Sequence, residues 1–247
     1  MKDFLLNQNS GLTIELFSKY HLLLILITFL ICALIINNKE LFVRMSSKKK
    51  KLIRIILAIL LIINFVIRRG SFLYFDVYNW RYHLDINFCN FTSIMFIIYG
   101  LTGNNKIYNI CFYMAFIGPL MAIVFPSVNL APLNYSFYSF VILHHVVFIF
   151  NIMFMYIENK EYKRSDAIKA IIFLGIYHLI IYIFNIFCGT NYNETLSFVN
   201  NSIQNNRLIT ALAPYYLVRL TSHIIVEIAL FIFANFILKK LIKKSKI

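Results

Sequence analysis

The stretch HLDINFCNFTS at 83–93 sets His83, Asp85, Asn87, Cys89 and Asn90 at the start of an apolar run. A thiolate is a strong nucleophile, but a thiol in apolar surroundings stays protonated unless a base or a cation adjoins it. Two histidines, His144 and His145, stand inside a later apolar run, and Arg219, His223 and Glu227 recur at intervals of four in the last one. That spacing makes one ionisable stripe on a helix. Amide side chains at Asn87, Asn90 and Asn185 have the chemistry to donate to a developing oxyanion. These residue types suit nucleophilic chemistry at a cysteine, a polar path for a headgroup, or zinc ligation by imidazole and carboxylate.

The surroundings of these residues limit the choice. The chain has 247 residues, 60% of them hydrophobic, and a mean hydropathy of +0.74, which places it well outside ordinary soluble domains. A helix needs about 20 apolar residues to cross a ~30 Å hydrocarbon core. Runs of that kind fall near 21–36, 52–67, 84–101, 107–125, 136–157, 167–188 and 214–238. The expected fold is all-α: one integral membrane domain over 1–247, a bundle of about seven transmembrane helices. The opening MKDFLLNQNSGLTIELF carries acidic residues and Asn and precedes no small-residue cleavage site, so 21–36 reads as a retained span.

Lys and Arg mark the cytoplasmic side of short loops. Segments 37–54, 158–169, Lys106 and the tail from Lys239 hold seventeen of them, against six on the alternate face. The expectation is an outside N-terminus and a cytoplasmic C-terminus in a multi-pass cell-membrane protein. The net charge of +14 lies in juxtamembrane loops without a nucleic-acid module, so anionic lipid headgroups, and no nucleic acid, are the expected partners of the basic loops. The cysteines Cys32, Cys89, Cys111 and Cys188 lack zinc-knuckle or CxxC spacing, although Cys89 and Cys188 fall near the same ends of their spans. No cofactor and no metal site is expected, and the oligomeric state is left open.

On this topology the candidates share one depth. At 1.5 Å per residue, His83 to Asn90 occupy the first ~10 Å of the third span, with Asp85 and Cys89 as i,i+4 neighbours. His144 and His145 lie roughly 12 Å inside the fifth. Arg219, His223 and Glu227 enter from the same side, so one cavity open to the outer surface is expected. Each residue also has a structural reading: a membrane cysteine is commonly a small hydrophobe, asparagines such as Asn151 and Asn185 join helices, and the last-span charges can neutralise one another.

Several motifs together resemble the bacterial YwaF-like integral membrane proteins: LDINFC at 84–89, the histidine of VILHHVV at 141–147, NIFCGTNY at 185–192 and PYY at 214–216. Asp85 departs from that pattern, which usually has Pro there. That family is similar, more remotely, to eukaryotic multi-pass acyltransferases that move a fatty acyl chain between phospholipids through a cysteine. The resemblance implies Cys89 as nucleophile and His144, in preference to His145, as its base. Asn191, Tyr192 and Tyr215 would then cap the cavity at headgroup level, where Tyr is favoured, and Arg219 would hold a lipid phosphate.

The reading that follows is an acyltransferase or transacylase acting on a phospholipid or glycerolipid. A lipid or solute carrier or scramblase and a zinc-dependent intramembrane hydrolase are the competing readings. A retinal-type receptor is set aside, because 214–238 holds no Lys for a Schiff base.

Overall fold

The computed structural model describes residues 1–8, 11, 13–126, 131–160, 163–188 and 190, apart from the side chains of Tyr82, Arg164 and Ile186. Among these the secondary structure is helical, with no β-strand. In chain order the helices are α1 (Lys2–Leu5), α2 (Lys19–Asn37), α3 (Lys39–Val43), α4 (Ser47–Tyr74), α5 (Trp80–His83), α6 (Phe88–Thr102), α7 (Asn105–Val124), α8 (Tyr135–Phe140), α9 (Val147–Ile157) and α10 (Arg164–Cys188). A π-helical stretch, Val141–Val146, joins α8 to α9 without a break.

Four helices among the described residues are long and apolar enough to cross a membrane: Lys19–Asn37, Asn105–Val124, the continuous Tyr135–Ile157, and α10 over Ser165–Asn185. This differs from the seven expected. The expected second span lies inside α4, a 28-residue helix that carries seven Lys and Arg residues. The expected third span shortens to the 15 residues of α6, ~22 Å of helix. Its first four residues, 84–87, are extended, with ψ of 136° at Leu84 and 150° at Asn87. Asp85 and Cys89 are therefore not neighbours on one helix. The seventh expected span, 214–238, lies outside the described residues.

Helix ends follow local chemistry. Ser18 and Asn104 accept the N–H groups of His21 and Lys106 and so start α2 and α7, as small polar caps do. Gly103, at φ 67°, ends α6 in the left-handed conformation that glycine adopts without strain.

α7 forms the centre of the bundle. It packs on α6, α9 and α10, while α4 covers the other side of α6 and α2 lies against α9. The core is aromatic: Tyr99 stacks on Tyr108 at 4.8 Å, and Phe154 meets the edge of Tyr99 at 5.5 Å. α2 buries only His21, Thr28, Cys32 and Ile35. Its outward leucines, isoleucines and phenylalanines are exposed, as on a helix whose solvent is lipid. The α4–α6 crossing is close: a Cβ on Gly100 would lie 2.7 Å from the Arg54 carbonyl oxygen and 2.8 Å from Ala58. Small residues allow this approach in membranes.

Candidate functional site

The extended connector 84–87 is held from three sides. Asp85 accepts a two-pronged ion pair from Arg69 of α4, through Nε at 2.6 Å and through Nη2, and also accepts Asn90 Nδ2 at 3.1 Å. The carboxylate thus ties α4 to the first turn of α6. From α10, the Tyr177 hydroxyl donates to the Ile86 carbonyl, and the Tyr177 ring stacks on Phe91 at 4.7 Å. From α7, the missing side chain of Gly118 admits the Phe88 ring, which a Cβ would overlap.

This clamp places Cys89, half-buried, as the second residue of α6. Asn87 is the N-cap residue, yet its side chain makes no cap bond to the helix. The first-turn N–H groups of a helix have no intrahelical acceptors and form its positive end. All four cysteines are free thiols, so Cys89 and Cys188 are unpaired.

The two histidines of the π stretch face different surroundings. His145 is 4% exposed, and its Nδ1 lies 2.6 Å from Thr28 Oγ1. That hydroxyl already donates to the Leu24 carbonyl, so His145 Nδ1–H donates and fastens α2 to the bundle. His144 is half-buried, and its Nδ1 lies 2.9 Å from the Phe140 carbonyl oxygen. A carbonyl only accepts, so the proton sits on Nδ1 and Nε2 carries the lone pair. Such a bond fixes both tautomer and ring orientation.

The π stretch packs against α6. Arg68 acts electrostatically on Asp85, Tyr135 and His144. Arg69, Asp85 and Asn90 thus form a polar region at the start of α6, where Cys89 is the second residue, and His144 stands on the π stretch that packs against that helix. His83 borders it on α5, stacked on Phe72 at 4.3 Å, with Nδ1 accepting the Asn79 N–H. Burial first, then Arg69 and Arg68, holds the His83 pKa below its ordinary value, against Asp85.

A second polar cluster lies 15 residues earlier on α4, ~22 Å along its axis. Arg54 pairs with Glu158 at 3.6 Å, and Tyr99 donates to the same carboxylate at 2.6 Å. Beside it Lys160, 8% exposed, bonds Asp166 at 3.0 Å and also Asn109. Burial lowers the Lys160 pKa and Asp166 opposes the shift. A cavity of ~220 Å³ opens here among Asn105, Tyr108, Glu158, Lys160, Lys163 and Asp166.

Sequence reasoning treated Arg54 and Lys160 as topology charges, and missed Arg69 and Tyr177 as well. Arg69 carried a signal: an arginine pair at the end of an apolar run.

Of the sequence candidates, Cys89, Asn87 and Asn90 share the first turn of α6 and its cap, with His144 on the packed π stretch. Asn185 lies two turns beyond His178 on α10, fully buried, where its Oδ1 accepts the Thr190 hydroxyl at 2.7 Å. Asn151 joins helices as expected, donating to the Phe112 carbonyl of α7 at 2.9 Å. Asn191, Tyr192, Tyr215, Arg219, His223 and Glu227 lie outside the described residues. Among the described residues no three His, Cys, Asp or Glu side chains converge as metal ligands do.

No curated protein matches the chain, and no solved structure matches it. A family model does, across residues 16–234, and it is that of the TMEM164 family, not of the YwaF-like proteins the motifs resemble. The LDINFC, GTNY and PYY elements are short and built from residues common at membrane interfaces, whereas the family match spans most of the chain. With its apolar helices and this match, the chain is a membrane protein with transmembrane helices and belongs to the TMEM164 family.

Proposed function

We propose that the chain is a membrane-embedded acyltransferase or transacylase, moving a fatty acyl chain to or between phospholipids or glycerolipids through a thioester on Cys89. The observation that carries this reading is a cysteine in the first turn of α6 and, on an element packed against that helix, a histidine whose Nδ1 proton is held by a carbonyl.

His144 Nε2 takes the thiol proton, and the thiolate attacks the carbonyl carbon of the donor ester. The first-turn N–H groups of α6 are suited to receive the developing oxyanion, a role for preorganised donors. Asn87, Asn90 and Asn185 remain side-chain candidates for it. Collapse breaks the C–O bond, and the leaving alkoxide takes the proton from His144. In the second half an acceptor hydroxyl passes its proton to His144 and attacks the thioester. The C–S bond breaks, and Cys89 leaves as a thiolate that takes the proton back from His144. The π stretch supports this assignment, since π insertions in α-helices occur often at functional sites.

The reading includes a multi-pass arrangement in the cell membrane with the Lys48–Lys51 end of α4 cytoplasmic, because that end carries four consecutive lysines of the kind that resist translocation. Cys89 and Arg69 then lie toward the outer leaflet.

The test is intact-mass spectrometry of purified wild type and Cys89→Ser after incubation with phospholipid. A hydroxylamine-labile acyl adduct on wild type, absent from Cys89→Ser, is expected. Demonstrated lipid binding without an adduct would refute acyl transfer and favour a carrier or scramblase.

A further inference from the structure

Among the described residues, the polar region around Asp85 holds more positive charge than it neutralises. Arg68 and Arg69 are consecutive and half-buried, and a guanidinium does not discharge in a protein. Among the described residues their only ion pair is Arg69 with Asp85. Two arginines against one aspartate leave one positive charge unpaired among the described residues, in a site largely withdrawn from water. An uncompensated charge in such a place calls for a counter-ion.

The unsatisfied groups here are donors. Asp85 occupies the Nε and Nη2 edge of Arg69, while Nη1 is buried and has no acceptor among the described residues. One turn before Arg68 on the same face of α4, Asn64 Nδ2 is likewise buried and unpartnered, its Oδ1 being taken by the Tyr135 hydroxyl at 2.9 Å. Tyr135 lies within the field of Arg68. A set of orphaned donors with a surplus positive charge is complementary to a ligand that is all acceptor and negative. A guanidinium matches phosphate oxygens in geometry as well as charge.

Position narrows the source. Arg69 stands five residues, ~8 Å, from the end of α4 at Tyr74, so an anion there lies near an end of the helix, within reach of a lipid headgroup.

We infer that Arg68, Arg69 and Asn64 form an anion seat that takes the phosphodiester of a phospholipid, with Asp85 as the residue that positions Arg69. This deepens, and rests on, the reading that the Cys89 cavity accepts a lipid. It makes the substrate a phosphate-bearing glycerolipid in preference to a neutral one. The seat would hold the headgroup while the acyl ester reaches Cys89, whose neighbour Asn90 shares the same aspartate.

The experiment is equilibrium binding to the full chain in detergent micelles, with dihexanoyl phosphatidylglycerol, dihexanoylglycerol and inorganic phosphate as probes. Wild type is expected to bind the phospholipid about tenfold or more tightly than the diacylglycerol. Arg68→Gln, and the charge-balanced double variant Arg69→Gln/Asp85→Asn, which leaves no orphaned ion, are expected to lose that preference while diacylglycerol binding stays unchanged. Equal binding of the two lipids by wild type would overturn the seat, as would an unchanged preference in both variants. Inorganic phosphate competing as strongly as the phospholipid would overturn the lipid source. If the arginine variants lose the preference and wild type forms no acyl adduct, the seat stands and acyl transfer alone fails.

Discussion

Asp85→Asn is the substitution whose effect the site determines most directly. The carboxylate accepts two bonds from Arg69 and one from Asn90, and the paired side chains are only 16% and 14% exposed. Removing one member of a buried ion pair costs about 3–5 kcal/mol, because the other charge is left without compensation. Residual water access places this pair near the lower bound, about 3 kcal/mol, and Arg68 adds to the repulsion that Arg69 then meets. For a chain of this size 1 kcal/mol moves the midpoint by about 2–4 °C, so thermal unfolding in micelles should fall by about 6–12 °C. Arg68→Gln removes a cation that has no ion-pair partner among the described residues and should shift the midpoint by less than about 2 °C, as substitutions that break no pair do. Arg69→Gln/Asp85→Asn should lie closer to wild type than Asp85→Asn alone, since the two effects are coupled. An Asp85→Asn protein that melts with wild type, or a double variant as damaged as the sum of the singles, would refute the pairing argument and with it the role of Asp85 as a positioning residue.

Two further perturbations test the scaffold. Gly100→Ala places a methyl group 2.7 Å from the Arg54 carbonyl and 2.8 Å from Ala58, where helix backbones must separate; overpacking of this kind costs about 1–3 kcal/mol, and a melt unchanged from wild type would show that α4 and α6 cross less closely. His83 gives a pH dependence. Its folded pKa lies below the ordinary 6.5, so its contribution is fully present above that value and is lost as pH falls below it, where the unfolded chain binds the proton first. Wild type should therefore lose more thermal stability between pH 7.5 and 5.5 than His83→Phe, which keeps the stack on Phe72 without titrating; parallel curves would exclude the histidine as the titrating group.

The residues that were legible in the sequence are those whose meaning is local. Apolar runs longer than a helix needs to cross the membrane read directly as α2, α7, α8 to α9 and α10, because length and composition suffice for that inference. Cys89, Asn90 and His144 stood out because a polar group in an apolar run must be satisfied or functional. The start of α6 was not legible. A helix continued back to Leu84 satisfies the periodicity of 84–101, and only Arg69, 16 positions away, and Tyr177, 91 positions from Ile86, draw the connector into an extended form. The π stretch was hidden for a similar reason: VILHHV is as compatible with an α-helix as its neighbours, and the elements it lies against, α6 and α7, are distant in the chain.

Charge was the least legible property, and the reason is physical. A Lys or Arg beside an apolar run has the same sequence signature whether it is solvated and sets topology or folds back to pair inside the bundle. Arg54 finds Glu158, 104 positions away, and Lys160 turns in toward Asp166 and the ring of Phe112 at 5.7 Å. Arg68 and Arg69 were counted among the few positive charges of the opposite face, where an arginine normally reaches water or headgroups. The difference between a topology charge and a site charge is the supply of acceptors around it. Arg54 has its counter-ion in Glu158. For Arg68 and Arg69 it falls one anion short among the described residues, and that shortfall is the observation behind the proposed phosphate seat.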